Sequence, residues 1–397
     1  MKENLRFIQW DYVFLIWFLT ESWFNHTIIG TLGQALFMLY SMYKCMMIKR
    51  FHWSALFSLY LVFCSVCFFN IWGGFAIAPS RSLLMAGVVL RNFIFIYFLY
   101  QYIQLVTSQH FLSFFTLACC MSSLGVLLLY FMSTGTLDMR TDGAESTINA
   151  NIQSVINAFI ISWLIISKQY KGKFFFIISF LFLFVLFSGT RKSIISIVVL
   201  VGGYLMLKQP RHIVRNMIGV IMLLLVLYVV LMKIPAIYDI IGNRFASLFS
   251  FMEGGDTDES TDTRNKFIEL GLLYWANNPL WGNGLNSFGV LWGEDTYSHN
   301  NYIELLCSLG IVGLIAYYMI YIIPLVKTLK SYIKHNQPTI AFTLCMILSC
   351  LISDYAMVTY FERIPLMLTV LVYVFLKENN PRRRTNIEQY QVNSSVK

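Results

Sequence analysis

Charge is scarce in this chain. Only 12% of its 397 residues are Asp, Glu, Lys or Arg, against roughly 25% in a soluble globular domain. That deficit excludes a water-soluble body as the bulk of the protein. The chain shows no internal repeat and no disulfide framework. The eight cysteines lie in apolar runs, where Cys64 and Cys67, or Cys119 and Cys120, read as packing groups rather than metal or redox ligands. A small-residue cleavage site after the first apolar run is also missing, so that run is expected to begin the fold rather than be removed.

Hydrocarbon is what the chain has in abundance. Hydrophobic residues make up 57% and the mean hydropathy is +0.64. Runs of the length that spans a bilayer recur about twelve times: near 8–23, 28–46, 54–71, 83–105, 111–132, 150–167, 174–188, 192–207, 213–233, 300–325, 338–357 and 364–377. The expectation is an all-α integral membrane protein of about twelve transmembrane helices.

The net charge of +9 does not read as a nucleic-acid surface, because its distribution is periodic. Basic residues cluster at alternate connections: Lys44, Lys49 and Arg50; Lys168, Lys171 and Lys173; Lys208, Arg211 and Arg215; Lys327, Lys330 and Lys334; Lys377 and Arg382 to Arg384. Loops rich in Lys and Arg face the cytoplasm. With about twelve spans all these clusters, Lys2 and Arg6 fall on one side. Both termini are then cytoplasmic and residues 234–299 external. This divides the chain into 1–233 (the first nine spans), an external loop 234–299, the last three spans in 300–377, and a basic cytoplasmic tail 378–397.

The external island is where the polar chemistry is concentrated. It holds nine of the twenty acidic residues, against Arg244, Arg264 and Lys266. An exposed turn around Glu253 to Ser260 leads to a helix expected from about Asp262 to Trp275, capped by Ser260 or Thr261. Phe267, Leu270 and Tyr274 share one face of it, and Asn277-Asn278-Pro279 stops it. Gly282, Gly284 and Gly289 predict irregular backbone, with His299 starting the next span. The whole is expected to pack as a small helical lid. A shorter external loop, Met132 to Asn149, carries Asp138, Arg140, Asp142 and Glu145.

Several residue types in these places have chemistry to offer. Ser188-Gly189-Thr190-Arg191-Lys192-Ser193 is a tight turn whose two cations depart from the positive-inside trend. It reads as an anion clamp, with Arg191 carrying more weight than Lys192, or as a snorkelling pair at a helix end. Arg264, unfavourable at a helix start, is either a ligand for an anion or a partner of Asp258, Glu259 and Asp262; Arg244 is a second candidate. His299 can accept a proton near neutral pH, and the free N–H groups of the following helix would favour an anion beside it. It shares the outside only with His26. Asn300, Asn301 and Glu304 are within a turn and could orient the ring or a sugar. Arg91 lies inside the fourth span and should face a polar or anionic group. Asp354, Glu362 and Arg363 surround the last external turn, the latter two placed to pair with one another. Trp275, Trp281, Trp292 and Tyr297 are open to sugar stacking or to plain interfacial anchoring. Asp256-Thr257-Asp258 mimics a metal-binding D-x-D motif, but an external acidic turn has no cytoplasmic nucleotide sugar to meet.

The ordered set of motifs is more specific than any one of them. It runs from the Gly189-Thr190-Arg191 turn through Asn243-Arg244-Phe245, Thr263-Arg264-Asn265-Lys266-Phe267 and the Asn278 to Phe288 stretch (NPLWGNGLNSF). It continues with Ser298 to Leu306 (SHNNYIELL) and Leu309 to Leu314 (LGIVGL). From Ser188 to about Leu314 this resembles the bacterial O-antigen ligases and Wzy-type polysaccharide polymerases. The resemblance implies a metal-independent, cofactor-free GT-C membrane glycosyltransferase acting on undecaprenyl-diphosphate-linked glycan at the outer face of the inner membrane. By position it assigns Arg191 and Arg264 to the diphosphate and His299 to catalysis, with a chain-length regulator and a flippase as partners. Ser298 to Glu304 and Asn149-Ala150-Asn151-Ile152-Gln153 look more like the polymerases than the ligases. A transporter or lipid flippase is the rival of another class, but no repeat with broken helices marks a midplane site.

Overall fold

The computed structural model describes residues 12–24, 27–48, 51–135, 150–169, 171–208, 212–235, 238, 246, 259–294, 296–335 and 337–379. His26, Arg244, the Asp138 to Glu145 loop, Asp256 to Asp258 and Arg382 to Arg384 lie outside the described residues.

Among the described residues every regular element is helical. In chain order they are α1 (Tyr12–Trp23), α2 (Ile28–Ile48), α3 (Ala55–Trp72), α4 (Pro79–Val106), α5 (Ser108–Thr134), α6 (Ala150–Ile166) and α7 (Lys173–Phe187). Then come α8 (Arg191–Ile197), continued through a π turn at Val198–Gly202 into α9 (Gly203–Leu207), and α10 (Ile213–Lys233). The island contributes α11 (Glu259–Asn277) and α12 (Ser287–Trp292), and the chain closes with α13 (Asn301–His335), α14 (Pro338–Asp354) and α15 (Arg363–Glu378). Among the described residues each expected apolar run falls largely on helix. Five of the helices, α3, α4, α5, α10 and α13, are long and apolar enough to cross a membrane, and α6, α7 and α14 are shorter apolar helices. The protein is therefore an integral membrane protein of the all-α class.

The island helix runs longer than its apolar face suggests, Glu259–Asn277, and it ends before Pro279 as expected. The stretch after it is not wholly irregular. Ser287–Trp292 forms a short helix, α12, that includes Gly289, because Phe288 packs into a small core with Phe267 and Cys307.

The centre of the fold is a broken α13. At Gly310 the backbone leaves the helical region (φ 63°, ψ −164°), and the opened turn is filled by the Asn278 to Gly284 segment. The N–H groups of Asn283 and Gly284 donate to the carbonyls of Cys307 and Ser308 at 2.9 and 2.8 Å, and those of Ile311 and Val312 donate to Pro279 and Leu280 at 3.0 and 3.3 Å. Backbone thus lies directly on backbone. A Cβ at Gly282 would sit 2.5 Å from Gly310 N, and one at Gly310 would sit 2.4 Å from the Leu280 carbonyl. Trp281 stacks on Phe75 (5.4 Å, 15°) and meets Phe69 at 4.7 Å, while its carbonyl accepts from the Asn70 amide. Its ring is a packing group that seats the island on α3.

Candidate functional site

Three chain segments converge beside the island. The first is the start of α8. Ser188, Thr190 and Ser193 form one hydroxyl cluster with Ser154 of α6, and Gly189 takes the left-handed conformation (φ 62°) that the turn requires. This cluster pins the N-terminus of α8 to α6 and so fixes where Arg191 and Lys192, both half-buried, emerge.

The second segment is α11. Phe267 is buried, stands edge-on to Phe288 of α12 at 5.3 Å, and shares a small core with Cys307 that holds the helix down on α13. Arg264, one turn earlier, is exposed at the start of the helix.

The third is the Tyr297 to Glu304 stretch. His299 does not start α13 as expected. It precedes the cap in the left-handed region (φ 56°), while Asn300 is the cap: its Oδ1 accepts the N–H groups of Tyr302 and Ile303 at 3.0 and 3.2 Å. Two of the N–H groups expected to favour an anion are therefore already engaged. Glu304, fully buried, folds back to accept the Ser298 N–H at 2.9 Å. Asn301 is wholly buried; its amide donates to Tyr318 and Asp354, and its Oδ1 accepts the N–H groups of Thr359 and Tyr360. Expected as sugar- or ring-orienting groups, these three side chains direct their hydrogen bonds inward and build the frame that aims His299.

The His299 ring lies 4.3 Å from that of Tyr297 and 6.1 Å from Phe267. Burial, with the positive charges of Arg264 and Lys192, pulls the imidazole from its ordinary 6.5 down to about 4. It is accordingly neutral near pH 7 and able to accept a proton. Burial also pushes the Tyr297 phenol up, Glu362 adds to this, and Arg264 opposes it. Lys192, given less weight than Arg191 on sequence, has a charge that reaches His299, Arg264 and Glu362. Arg191 is its neighbour on the same helix.

Two residues outside these segments complete the electrostatics. Arg91 in α4 is half-buried, and its charge environment includes Arg363, Glu21 and Glu362. Arg363 pairs not with its neighbour Glu362 but with Glu21 of α1, at 2.8 Å, and also bonds Gln34 of α2. Glu21 went unnoticed in the sequence, although a carboxylate near the end of an apolar run is itself a signal. Asp354 is likewise structural, accepting from Tyr318, Thr359 and Asn301. Among the described residues, no group of three or more His, Cys, Asp or Glu side chains forms a metal-binding set.

Below the start of α8, an apolar groove of about 550 Å³ runs between α8 with its π turn and α10. Ile194, Ile195 and Val198 line one wall, Leu224, Leu225 and Tyr228 the other. The site therefore combines a cationic mouth, a neutral imidazole and a hydrocarbon trough beside them.

Residues 174–318, from α7 into α13, match the family model described as O-antigen ligase. No curated protein matches the chain.

Proposed function

We propose that this chain, whose residues 174–318 match the family model described as O-antigen ligase, is a polymerase of lipid-linked oligosaccharide repeat units. It transfers the glycan from undecaprenyl diphosphate to a sugar hydroxyl of another repeat unit at the outer face of the bacterial inner membrane. Both termini and the basic tail lie in the cytoplasm, and about twelve spans cross the bilayer.

The observation that carries this reading is the His299 ring, set parallel to Phe267 of α11 at 6.1 Å and 4.3 Å from Tyr297, with Arg264 one turn before Phe267 on the same helix. The acceptor hydroxyl sits against His299, and its oxygen attacks the anomeric carbon. The bond from that carbon to the diphosphate breaks, its electron pair leaving with the diphosphate oxygen, while His299 takes the hydroxyl proton. Charge develops on the leaving diphosphate, where Lys192, Arg264 and Arg191 stabilise it. The polyprenyl tail lies along the groove between α8 and α10, which starts one turn below Arg191 and Lys192 and is lined almost wholly by hydrocarbon.

The ligase alternative, transfer to lipid A–core, is favoured by the description of the matching family. Purified protein supplied with lipid-linked repeat units, with and without lipid A–core, separates the two on a gel. A ladder of lengths without core supports the polymerase, and a product only with core supports the ligase. His299→Ala and Arg191→Ala should each abolish product at normal membrane abundance. Normal product from the His299 variant sinks the assigned chemistry.

A further inference from the structure

Two of the helices behind the cationic mouth run away from it side by side. Ser154, near the start of α6, bonds Thr190 and Ser193 at the start of α8. About 20–25 Å of helix further on, α6 gives way to Lys168 and α9 to Lys208. That length crosses most of a hydrocarbon layer about 30 Å thick. The two lysines therefore lie at the membrane interface opposite to that of His299.

Between these helix ends is a cavity of about 530 Å³, with Pro338 of α14 on its third side. Ile165, Val201 and Leu205 give it apolar walls, and Lys168, Lys208 and Tyr204 line it as well. Lys208 Nζ stands 5.8 Å from the centre of the Tyr204 ring, a cation–π contact that holds the ammonium group at the wall. No acidic side chain is among the described residues of the lining. Among the described residues neither ammonium group has a carboxylate partner. Two cations thus converge from separate connections on one cavity without a counter-charge.

Lys168 is placed there against its backbone preference. It follows α6 in the left-handed region (φ 62°), at the position where a helix usually ends in glycine. Its N–H donates to the Ile165 carbonyl at 3.1 Å, and that of Gln169 to the Leu164 carbonyl at 2.9 Å. Glycine would close this turn without strain, so the lysine side chain has a use that the turn does not supply.

We propose that this cavity seats the phosphate headgroup of an acidic membrane phospholipid, held by Lys168 and Lys208. The charges call for an anion, and the position at the interface is where lipid phosphates lie. The cavity is far larger than a bare phosphate ion, which would leave the apolar walls against water. A lipid covers them with its glycerol and first methylenes. The lipid ties the end of α6 to that of α9, the two helices whose starts fix Arg191 and Lys192. This site is independent of the transfer reaction.

The test titrates the purified full chain in neutral detergent with short-chain phosphatidylglycerol, with short-chain phosphatidylcholine and with inorganic phosphate alone, and reads thermal unfolding. Phosphatidylglycerol should raise the unfolding temperature saturably, and phosphatidylcholine should not. Lys208→Gln should weaken this binding about five-fold, and the double variant with Lys168→Gln roughly 25-fold, as for one and two charges lost at a membrane surface. Lys168→Gly keeps the test free of folding effects. Relief of the strained turn leaves it at least as stable as wild type before lipid is added, while its affinity falls about five-fold. Lys330→Gln, exposed on α13 near the same end and outside the cavity, should bind as wild type does. Wild-type stabilisation that is equal for the two lipids overturns the proposal, and so does unchanged affinity in Lys168→Gly. An equal loss in Lys330→Gln overturns it too, because the attraction would then belong to the whole surface. Inorganic phosphate acting at the same concentrations as phosphatidylglycerol overturns the assignment to a lipid.

Discussion

The rings of His299 and Phe267 lie parallel, 4° apart in plane with centroids 6.1 Å apart. Phe267 is anchored in the small core with Phe288 and Cys307, and Arg264 is one turn before it on α11. One side chain thus sets both the distance of the imidazole from α11 and the placement of the cation that depresses it. Phe267→Ala should cost about 3 kcal/mol of stability and roughly 100-fold in transfer rate, because small misplacements of reacting groups are expensive. Thermal unfolding and the gel assay check this. A fall in stability with an unchanged rate would show that Phe267 only packs.

The depressed imidazole makes a signed prediction about pH. With His299 near 4 in the empty site, the folded protein refuses a proton that the unfolded chain accepts below about 6.5. Stability from this group is therefore present above 6.5 and lost as pH falls toward 4. In kinetics, kcat/KM reports the free enzyme and kcat the loaded one. A bound diphosphate neutralises Lys192 and Arg264, so the acid limb of kcat should lie at higher pH than that of kcat/KM. Lys192→Met should shift the kcat/KM limb upward as well. Coincident limbs in the wild type would rule out an imidazole controlled by those two charges.

The sequence made the helices and the order of motifs legible, because apolar runs of spanning length and a polar island are local signals. The roles of individual polar residues were not local. Asn300, Asn301 and Glu304 look like sugar-facing groups beside a histidine, yet a helix cap and two buried networks claim them. The partners of Asn301, namely Thr359, Tyr360 and Asp354, lie more than fifty residues away. The same distance hid the Glu21–Arg363 pair and left Glu362 reading as Arg363's mate. Gly310 was invisible for a different reason. A glycine within a long apolar run signals tolerance of many conformations, and only the docking of Leu280 on it shows which one is used.

That docking gives a contrast between two glycines. Gly310 and Gly293 both have positive φ, 63° and 88°. A Cβ on Gly293 meets open space, whereas one on Gly310 meets the Leu280 carbonyl at 2.4 Å. Gly293→Ala should cost only its backbone strain, about 1 kcal/mol. Gly310→Ala adds a collision with backbone that cannot rotate away, for roughly 2 kcal/mol or more in total. Hydrogen exchange at residues 278–288 should rise in the second variant alone. Equal exchange in both would mean that the island segment is not seated by this contact.

The ion pair between Glu21 and Arg363 joins the first described helix to the last, with both side chains 2% exposed. Removing one partner leaves a buried charge without its counter-charge, which typically costs 3–5 kcal/mol. Arg363→Met or Glu21→Leu alone should therefore destabilise strongly, Gln34 being a neutral partner unable to replace a carboxylate. The double variant removes both charges and keeps apolar volume, so its loss should be clearly smaller than the sum of the singles. Additive losses in thermal unfolding would show that the two charges are not coupled.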